Sequence, residues 1–118
     1  MRDEFLPSVR VKYLQEDKVI TRIQKVAKKL KQDPNIIKIY LFGSFVRKDY
    51  VPGSDADICI VLKADSRRVI DRIPDFLEFF KEVGVPVDVF PYTLKEFEKM
   101  IKIENPFVRE ILATGKEL

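Results

Sequence analysis

Residues 36–62 read IIKIYLFGSFVRKDYVPGSDADICIVL and carry most of the information that decides the fold. They begin with an apolar run rich in β-forming residues, Ile36–Phe42, which predicts a central strand. Gly43 breaks that run, and Ser44 is suited to cap a short helix that follows it. A second apolar run predicts a strand over residues 57–62. The segment therefore predicts a strand, a tight turn with a short helix, a loop and a second strand.

Helix and strand patterns alternate along the rest of the chain. Residues 1–13 form an N-terminal arm in which alternating apolar residues favour a short strand. Thr93-Leu94-Lys95-Glu96 matches the capping-box pattern of a helix start. This order predicts an α/β fold in one domain, residues 1–118. The predicted elements are a helix over 15–31, a strand over 36–42, a helix over 45–48, a strand over 57–62, a helix from Ser66 to Gly84 kinked or split at Pro74, a strand over 85–90, a helix over 93–103 and a helix over 105–115.

Composition narrows the classes of function. The chain has 118 residues, 46% of them apolar, which is enough for one domain with a real core. It contains no histidine, so histidine-based acid-base chemistry and histidine-ligated zinc are excluded. Its one cysteine, Cys59, lies in an apolar run and is expected to be a buried thiol. The net charge of +3 is too small for a dedicated nucleic-acid binder, so no direct nucleic-acid partner is expected.

Neither a secretory signal nor a membrane segment is apparent in the sequence. The first four residues, MRDE, are largely charged, and no apolar core of a signal peptide follows them. No apolar stretch approaches the roughly 20 residues that a membrane span needs. We therefore expect a soluble, cytoplasmic protein with no membrane partner.

Three acidic residues stand where they could act together. Side chains two apart on a strand share a face, so Asp55 and Asp57 can point to one side. Asp88 lies in the third predicted strand, and if that strand neighbours the second, the three carboxylates meet. Two carboxylates about 5 Å apart repel by roughly 3 kcal/mol at an effective dielectric of 20. Such a cluster calls for protons or cations, and Mg²⁺ suits all-oxygen ligands.

Gly43 and Ser44 could supply a phosphate site opposite these carboxylates. Gly43 has no side chain, so a phosphate could approach its backbone closely. Ser44 offers a hydroxyl and an N–H group at a helix start, where anions are favoured. Arg47, one helical turn further on, could add a charged hydrogen bond to a phosphate.

Each of these features also has an ordinary structural interpretation. A Gly-Ser pair is commonly just a turn, and Asp55 and Asp57 could form Asx turns in a loop. Asp88 could be a protective charge on an edge strand, and Arg47 could be a salt-bridge partner. The joint pattern favours function, because Gly-Ser-x10-Asp-x-Asp should arise by chance in roughly one such sequence per thousand.

The chain resembles the minimal nucleotidyltransferases of the DNA polymerase beta-type superfamily. The segment from Gly43-Ser44 through Arg47 to Asp55-Ala56-Asp57 matches the family signature, and Val87-Asp88-Val89 matches its third-carboxylate strand. The resemblance implies a polymerase beta-like fold with a small mixed β-sheet and helices packed on it. It implies that Gly43 and Ser44 hold the phosphates of ATP. It also implies two Mg²⁺ ions on Asp55, Asp57 and Asp88, with Asp88 helping to deprotonate the acceptor hydroxyl.

Minimal members of this family are often paired with a HEPN-type toxin. Some act as antitoxins by transferring AMP from ATP to a tyrosine of that partner, and the same activity is therefore implied here. Two alternatives stay open: a non-catalytic antitoxin that acts by tight complex formation, and transfer to the hydroxyl of a small molecule. A homo- or hetero-oligomer is compatible with each of them.

Overall fold

A computed structural model describes the backbone of residues 6–47 and 54–118, and side chains from Asp17 onward. Lys48, the predicted loop up to Gly53 and the turn signal Pro52-Gly53 lie outside the described residues. The elements are α1 (Leu6–Leu30), β1 (Ile36–Phe42), α2 (Ser44–Arg47), β2 (Ala56–Leu62), α3 (Val69–Phe80), β3 (Val87–Thr93), α4 (Leu94–Lys102), α5 (Pro106–Thr114) and β4 (Lys116–Glu117).

The four described strands form one mixed sheet in the order β3-β2-β1-β4. β1 pairs antiparallel with β2 and with the two-residue β4, whereas β2 and β3 are parallel. The short β4 was not predicted, since two charged residues, Lys116 and Glu117, carry no strand signal. The prediction of a small mixed sheet within an α/β fold is confirmed.

Helices pack on both faces of the sheet. One core joins α1 and α3 to the sheet through residues such as Ile23, Ile58 and Phe80. The other joins α4 and α5 to the opposite face through Phe97 and Ile111. Alternation along β1 and β2 fills both cores, which explains why both strands are apolar almost throughout. Cys59 belongs to the second core, and burial raises the pKa of its thiol to about 12.

Two sequence predictions about the helices were wrong, and so was one of the two alternatives for a third. α1 begins at Leu6, so most of the predicted arm is helical and the suggested strand is absent from it. Ser66 is not a helix cap, because α3 begins at Val69 after Arg68. α3 continues through Pro74 as one helix, so the alternative of two abutting helices is wrong, and the kink at Pro74 stays a prediction.

The start of α3 is fixed by a buried side chain rather than by a local cap. Arg72 donates from Nη2 to the backbone carbonyls of Asp65 and Arg67, at 3.0 and 2.5 Å. These bonds hold the segment that enters the helix, and Arg68 makes no side-chain capping bond. These bonds depend on the burial of Arg72 and not on a capping motif, so the sequence pattern did not indicate where the helix begins.

β3 was predicted over residues 85–90 but spans Val87–Thr93. It continues through Pro91 because β3 is an edge strand, where a missing N–H that faces away from the neighbouring strand breaks no ladder bond. The last two helices begin and end as predicted. Thr93 and Glu96 form the capping box of α4. Asn105 caps α5, and Gly115 ends it.

Among the helices that lie in the described ranges, none combines the length and the apolarity that crossing a bilayer demands.

Candidate functional site

The predicted site residues meet where three strand ends converge. Asp57 is the second residue of β2, and it pairs with Asp88 of β3 in the parallel register. Its antiparallel partner on the other side is Phe42, the last residue of β1. Neighbouring strands lie about 4.8 Å apart, so paired residues project side by side from the same face. Strand pairing thus brings Asp57, Asp88 and the turn after Phe42 to one corner of the sheet.

The three carboxyl groups interact electrostatically. The pKa of Asp57 is raised to about 6, first by burial, then by the charges of Asp88, Asp55 and Glu110. The pKa of Asp88 is also raised, first by partial desolvation of its largely exposed side chain, then by a hydrogen bond and charge repulsion from Asp55. A hydrogen bond between two carboxyl groups requires a proton on one of them. The cluster therefore retains protons that isolated aspartates would lose.

These carboxylates do not form a closed metal cage. Within the ranges that the structure describes, no group of three or more acidic or cysteine side chains is gathered tightly enough to hold a metal ion. Mg²⁺ commonly takes only one or two protein carboxylates and completes its shell with water and substrate phosphates. The three carboxylates offer only oxygen donors and repel one another, which suits a Mg²⁺ site that water and phosphates complete. What the site can do chemically is attract cations and accept a proton.

Gly43 lies directly against the side chain of Asp57. Its φ of +82° lies in the left-handed region that favours glycine. A Cβ atom added to Gly43 would lie 2.3 Å from Oδ2 of Asp57. The sequence suggested that this glycine lets a phosphate approach, and the structure adds a second reason: the Asp57 carboxylate occupies the space of a side chain.

Ser44 and Arg47 occupy the short α2 beside this turn. Ser44 is the first residue of α2 rather than its cap, because the Gly43 carbonyl accepts the N–H groups of Val46 and Arg47. The Arg47 guanidinium forms a salt bridge with Glu110 of α5. Arg47 also lowers the pKa of Asp57, which shows that its charge lies close to the carboxylates.

Glu110 is the site residue that the sequence did not reveal. It bonds to Arg47 and raises the pKa of Asp57, so it is a fourth acidic group at this corner. In the sequence it is one of several charged residues on a helix, with no motif around it. Only the packing of α5 against the sheet brings it to the site.

Three packed aromatic rings lie next to the carboxylate cluster. The Phe107 ring lies 4.8 Å from that of Phe90 and 5.1 Å from that of Phe42. Phe90 is two residues after Asp88, and Phe42 immediately precedes Gly43. Aromatic packing of this kind is stiff and apolar. It holds the ends of β1 and β3 in place.

The structure therefore brings all six predicted residues to one corner. Asp55, Asp57 and Asp88 interact, Gly43 contacts Asp57, Ser44 follows it, and Arg47 faces Glu110. Their individual roles in metal and nucleotide binding remain predictions.

Sequence comparison places this arrangement in a known context. The model of the nucleotidyltransferase domain family matches residues 23–114. A relative in Methanocaldococcus jannaschii, named "Putative protein adenylyltransferase MJ0604", is 36% identical over 105 residues. That match covers 89% of this chain and 99% of the relative.

Solved structures share the fold. A "putative nucleotidyltransferase" from Sulfolobus solfataricus is similar with a TM-score of 0.55 and 23% identity, over 74% of this chain and 78% of its own. A toxin–antitoxin complex with AMP-PNP is similar with a TM-score of 0.53 and 21% identity, over 86% of this chain and 70% of that chain. These likenesses confirm the predicted polymerase beta-like nucleotidyltransferase fold.

Proposed function

This chain belongs to the family of nucleotidyltransferase domains, and we propose that it transfers AMP from ATP to a hydroxyl group on a partner protein. The observation that carries the proposal is the pairing of Asp57 with Asp88 across parallel strands, next to the Gly43-Ser44 turn. The resemblance to a relative named as a protein adenylyltransferase supports AMP as the transferred group. We assign the activity to a single domain, residues 1–118, and to the cytoplasm, where ATP is available.

Two Mg²⁺ ions would be held by Asp55, Asp57 and Asp88. Bound there, they would neutralise the triphosphate and stabilise both the attacking and the leaving oxygen. The residues fit this task because their donors are all oxygens and because the carboxylates repel each other. A cation would remove that repulsion and release the retained protons.

The turn and α2 would hold the triphosphate. Gly43 and Ser44 lie at the same corner as the carboxylates, since Gly43 is next to Asp57 and Ser44 follows it in the chain. Arg47 would exchange its salt bridge with Glu110 for a charged hydrogen bond to a phosphate oxygen. Glu110 thus holds the guanidinium near the site before ATP binds.

Asp88 would act as the base. Its exposed position at the open edge of the sheet gives an acceptor hydroxyl access to it. The Asp88 carboxylate accepts the hydroxyl proton while the hydroxyl oxygen forms a bond to the α-phosphorus. The bond from that phosphorus to the bridging oxygen breaks, and pyrophosphate leaves. The products are an AMP ester of the acceptor and pyrophosphate.

The partner is proposed to be a HEPN-type toxin, with a tyrosine as the acceptor. A solved toxin–antitoxin complex with AMP-PNP shares the fold of this chain, which supports a pairing of this kind. Transfer of AMP would inactivate the toxin, so this chain would be the antitoxin.

Tight binding without catalysis is the second candidate. Ile103 at the end of α4 is 65% exposed, and Leu112 on α5 is 51% exposed. Apolar side chains on a surface can mark a protein–protein contact. An antitoxin of this type would neutralise its partner by covering it, and the carboxylates would be dispensable.

Labelling experiments separate the two candidates. The chain is incubated with Mg²⁺, ATP labelled in the α-phosphate and the protein encoded by the neighbouring gene. We expect label on the partner, with Asp57→Asn and Asp88→Asn each lowering transfer by about a thousandfold. Asp17→Asn, on the exposed surface of α1, is the matched control and should transfer normally. Undiminished transfer by either site variant would refute the assigned roles. Toxin neutralisation without any label would favour tight binding.

A further inference from the structure

Arg47 lies between the carboxylate cluster and α5. Its guanidinium forms a salt bridge with the Glu110 carboxylate. Both side chains also act on Asp57, because the charge of Glu110 raises the pKa of that carboxyl group and the charge of Arg47 lowers it. An oxygen anion held by a guanidinium is the same contact that a phosphate oxygen would make with Arg47.

The packing of α5 fixes the position of Glu110. The side chain of Asn105 caps the start of this helix. The ring of Phe107, one turn before Glu110, packs against two rings of the sheet. Ile111, directly after Glu110, is fully buried. The Glu110 carboxylate is therefore presented to Arg47 by a helix that the core anchors.

The order of the strands places Arg47 and Asp88 on opposite sides of Asp57. Asp57 pairs with Asp88 of β3 on one side and with Phe42 of β1 on the other. From Phe42 the chain turns at Gly43 into α2, which ends at Arg47. The attacking and leaving oxygens of a phosphoryl transfer lie roughly in line. With the acceptor hydroxyl at Asp88, the leaving pyrophosphate would therefore lie on the side of Arg47.

We propose that Glu110 competes with pyrophosphate for Arg47 and thereby speeds the release of this product. ATP displaces the Glu110 carboxylate from the guanidinium when it binds, and the carboxylate returns as pyrophosphate leaves. Glu110 therefore weakens the binding of ATP and pyrophosphate, but not that of AMP, which lacks the phosphates that leave. The inference rests on the proposed function, because it assigns a residue to the release of its product.

Glu110→Gln tests this proposal, because it keeps the size of the side chain and removes its charge. Calorimetry with Mg²⁺ and pyrophosphate measures affinity without any transfer. At low ionic strength we expect the variant to bind pyrophosphate roughly three- to fivefold more tightly than the unmodified chain, the range for a partly exposed ion pair. AMP should bind equally to both chains, and an equal gain in AMP affinity would overturn the proposal.

Glu78→Gln is the matched control for the loss of one negative charge. It removes an exposed salt bridge with Lys81 at the end of α3, the helix that packs on the opposite face of the sheet. We expect no change in the affinity for pyrophosphate. Equal gains from Glu78→Gln and Glu110→Gln would show that the overall charge sets the affinity, and the proposal would be wrong.

A double-variant cycle tests whether Glu110 acts through Arg47. Arg47→Gln removes the guanidinium and should weaken the binding of pyrophosphate. In that background, Glu110→Gln should change the affinity by less than about twofold. A gain as large as in the unmodified chain would show that Glu110 repels the anion directly. A loss of affinity in the single variant Glu110→Gln would show that Glu110 assists phosphate binding. Either result would overturn the proposal.

The outcomes separate this proposal from the transferase activity on which it rests. If the unmodified chain labels the partner protein but Glu110→Gln binds pyrophosphate no more tightly, the role given to Glu110 is wrong and the transferase activity stands. If the unmodified chain binds neither ATP nor pyrophosphate, or leaves the partner protein without label, the transferase activity itself is refuted.

Discussion

The two ends of β3 carry charge clusters of opposite design. At the N-terminal end, Asp88 lies beside Asp57, and burial and like charges raise the pKa of Asp57 to about 6. At the C-terminal end, Arg72 meets Glu96 at 2.7 Å. A hydrogen bond from Arg72 is the main reason that the pKa of Glu96 is lowered. One cluster is repulsive, and the other is neutralised within the chain.

The Arg72 cluster stabilises the fold, whereas the acidic cluster is the candidate functional site. Arg72 is 2% exposed and bonds to the carbonyl of Pro91 as well as to Glu96, so it joins α3, β3 and α4. The acidic site has a nearby cation in Arg47, but its charge lowers the pKa of Asp57 by less than burial and the acidic neighbours raise it. A fold that neutralises charge at one end of a strand and retains repulsion at the other supports the proposal that external cations bind at the repulsive end.

Breaking the neutral cluster should have the largest effect on stability. Arg72→Met leaves Glu96 without its partner and should lower the free energy of unfolding by about 3 kcal/mol. Urea denaturation measures this change. The control is Arg68→Met, which removes an exposed pair with Asp71 in which the Arg68 side chain is 81% exposed, and it should change stability by less than about 1 kcal/mol. Equal effects of the two variants would show that Arg72 is no more than another surface cation.

Gly43→Ala tests the close contact between Gly43 and the Asp57 carboxylate. We expect a loss of about 2 kcal/mol from the left-handed backbone conformation and from displacement of Asp57, together with loss of transfer. Gly84→Ala is the matched control, because Gly84 has a φ of +102° and its added Cβ would meet the mobile end of Arg22. It should lose stability but keep transfer, as measured by thermal unfolding and labelling. Normal transfer by Gly43→Ala would show that the contact between Gly43 and Asp57 is not needed to position the carboxylate.

Relieving the repulsion should stabilise the fold. Asp57→Asn removes a charge that the native state disfavours, so the free energy of unfolding at pH 7.5 without divalent ions should rise by roughly 1 kcal/mol after allowance for solvent screening. The gain should be absent at pH 4, where Asp57 is protonated in the native state. Thermal unfolding at both pH values measures it, with Asp17→Asn as the control. A loss of stability at pH 7.5 would mean that the carboxylate is stabilising instead.

The smallest expected effect is the shape of the stability–pH profile. Because the pKa of Asp57 is raised in the folded state, this group adds to the free energy of unfolding below about pH 4. That contribution is lost as the pH rises through about 6. The lowered pKa of Glu96 acts in the opposite sense, and its contribution is lost as pH falls below the ordinary glutamate range. Without divalent ions, denaturation curves should therefore show a shallow maximum at about pH 4–5. Millimolar Mg²⁺ should reduce the fall in stability above that maximum. A free energy of unfolding that rises steadily to neutral pH in metal-free buffer would contradict this expectation.

Local chemistry explains which elements were predictable. β1, the capping box at Thr93 and Glu96, and the ends of α5 follow from residues within a few positions of each other. The start of α1 was missed because short apolar alternation also occurs in helices. The extension of β3 through Pro91 was missed because only an edge position tolerates it, and sheet order is not a local property.

The sequence by itself determined β1, β2, the glycine turn and the three aspartates, since each depends on residue type and short-range spacing. Only the tertiary structure decided that Asp57 and Asp88 lie in register, that Glu110 joins them and that Arg72 is buried among its acceptors. The physical reason is that charges act through space, so their pKa values and partners depend on strand pairing and helix packing between segments far apart in the chain.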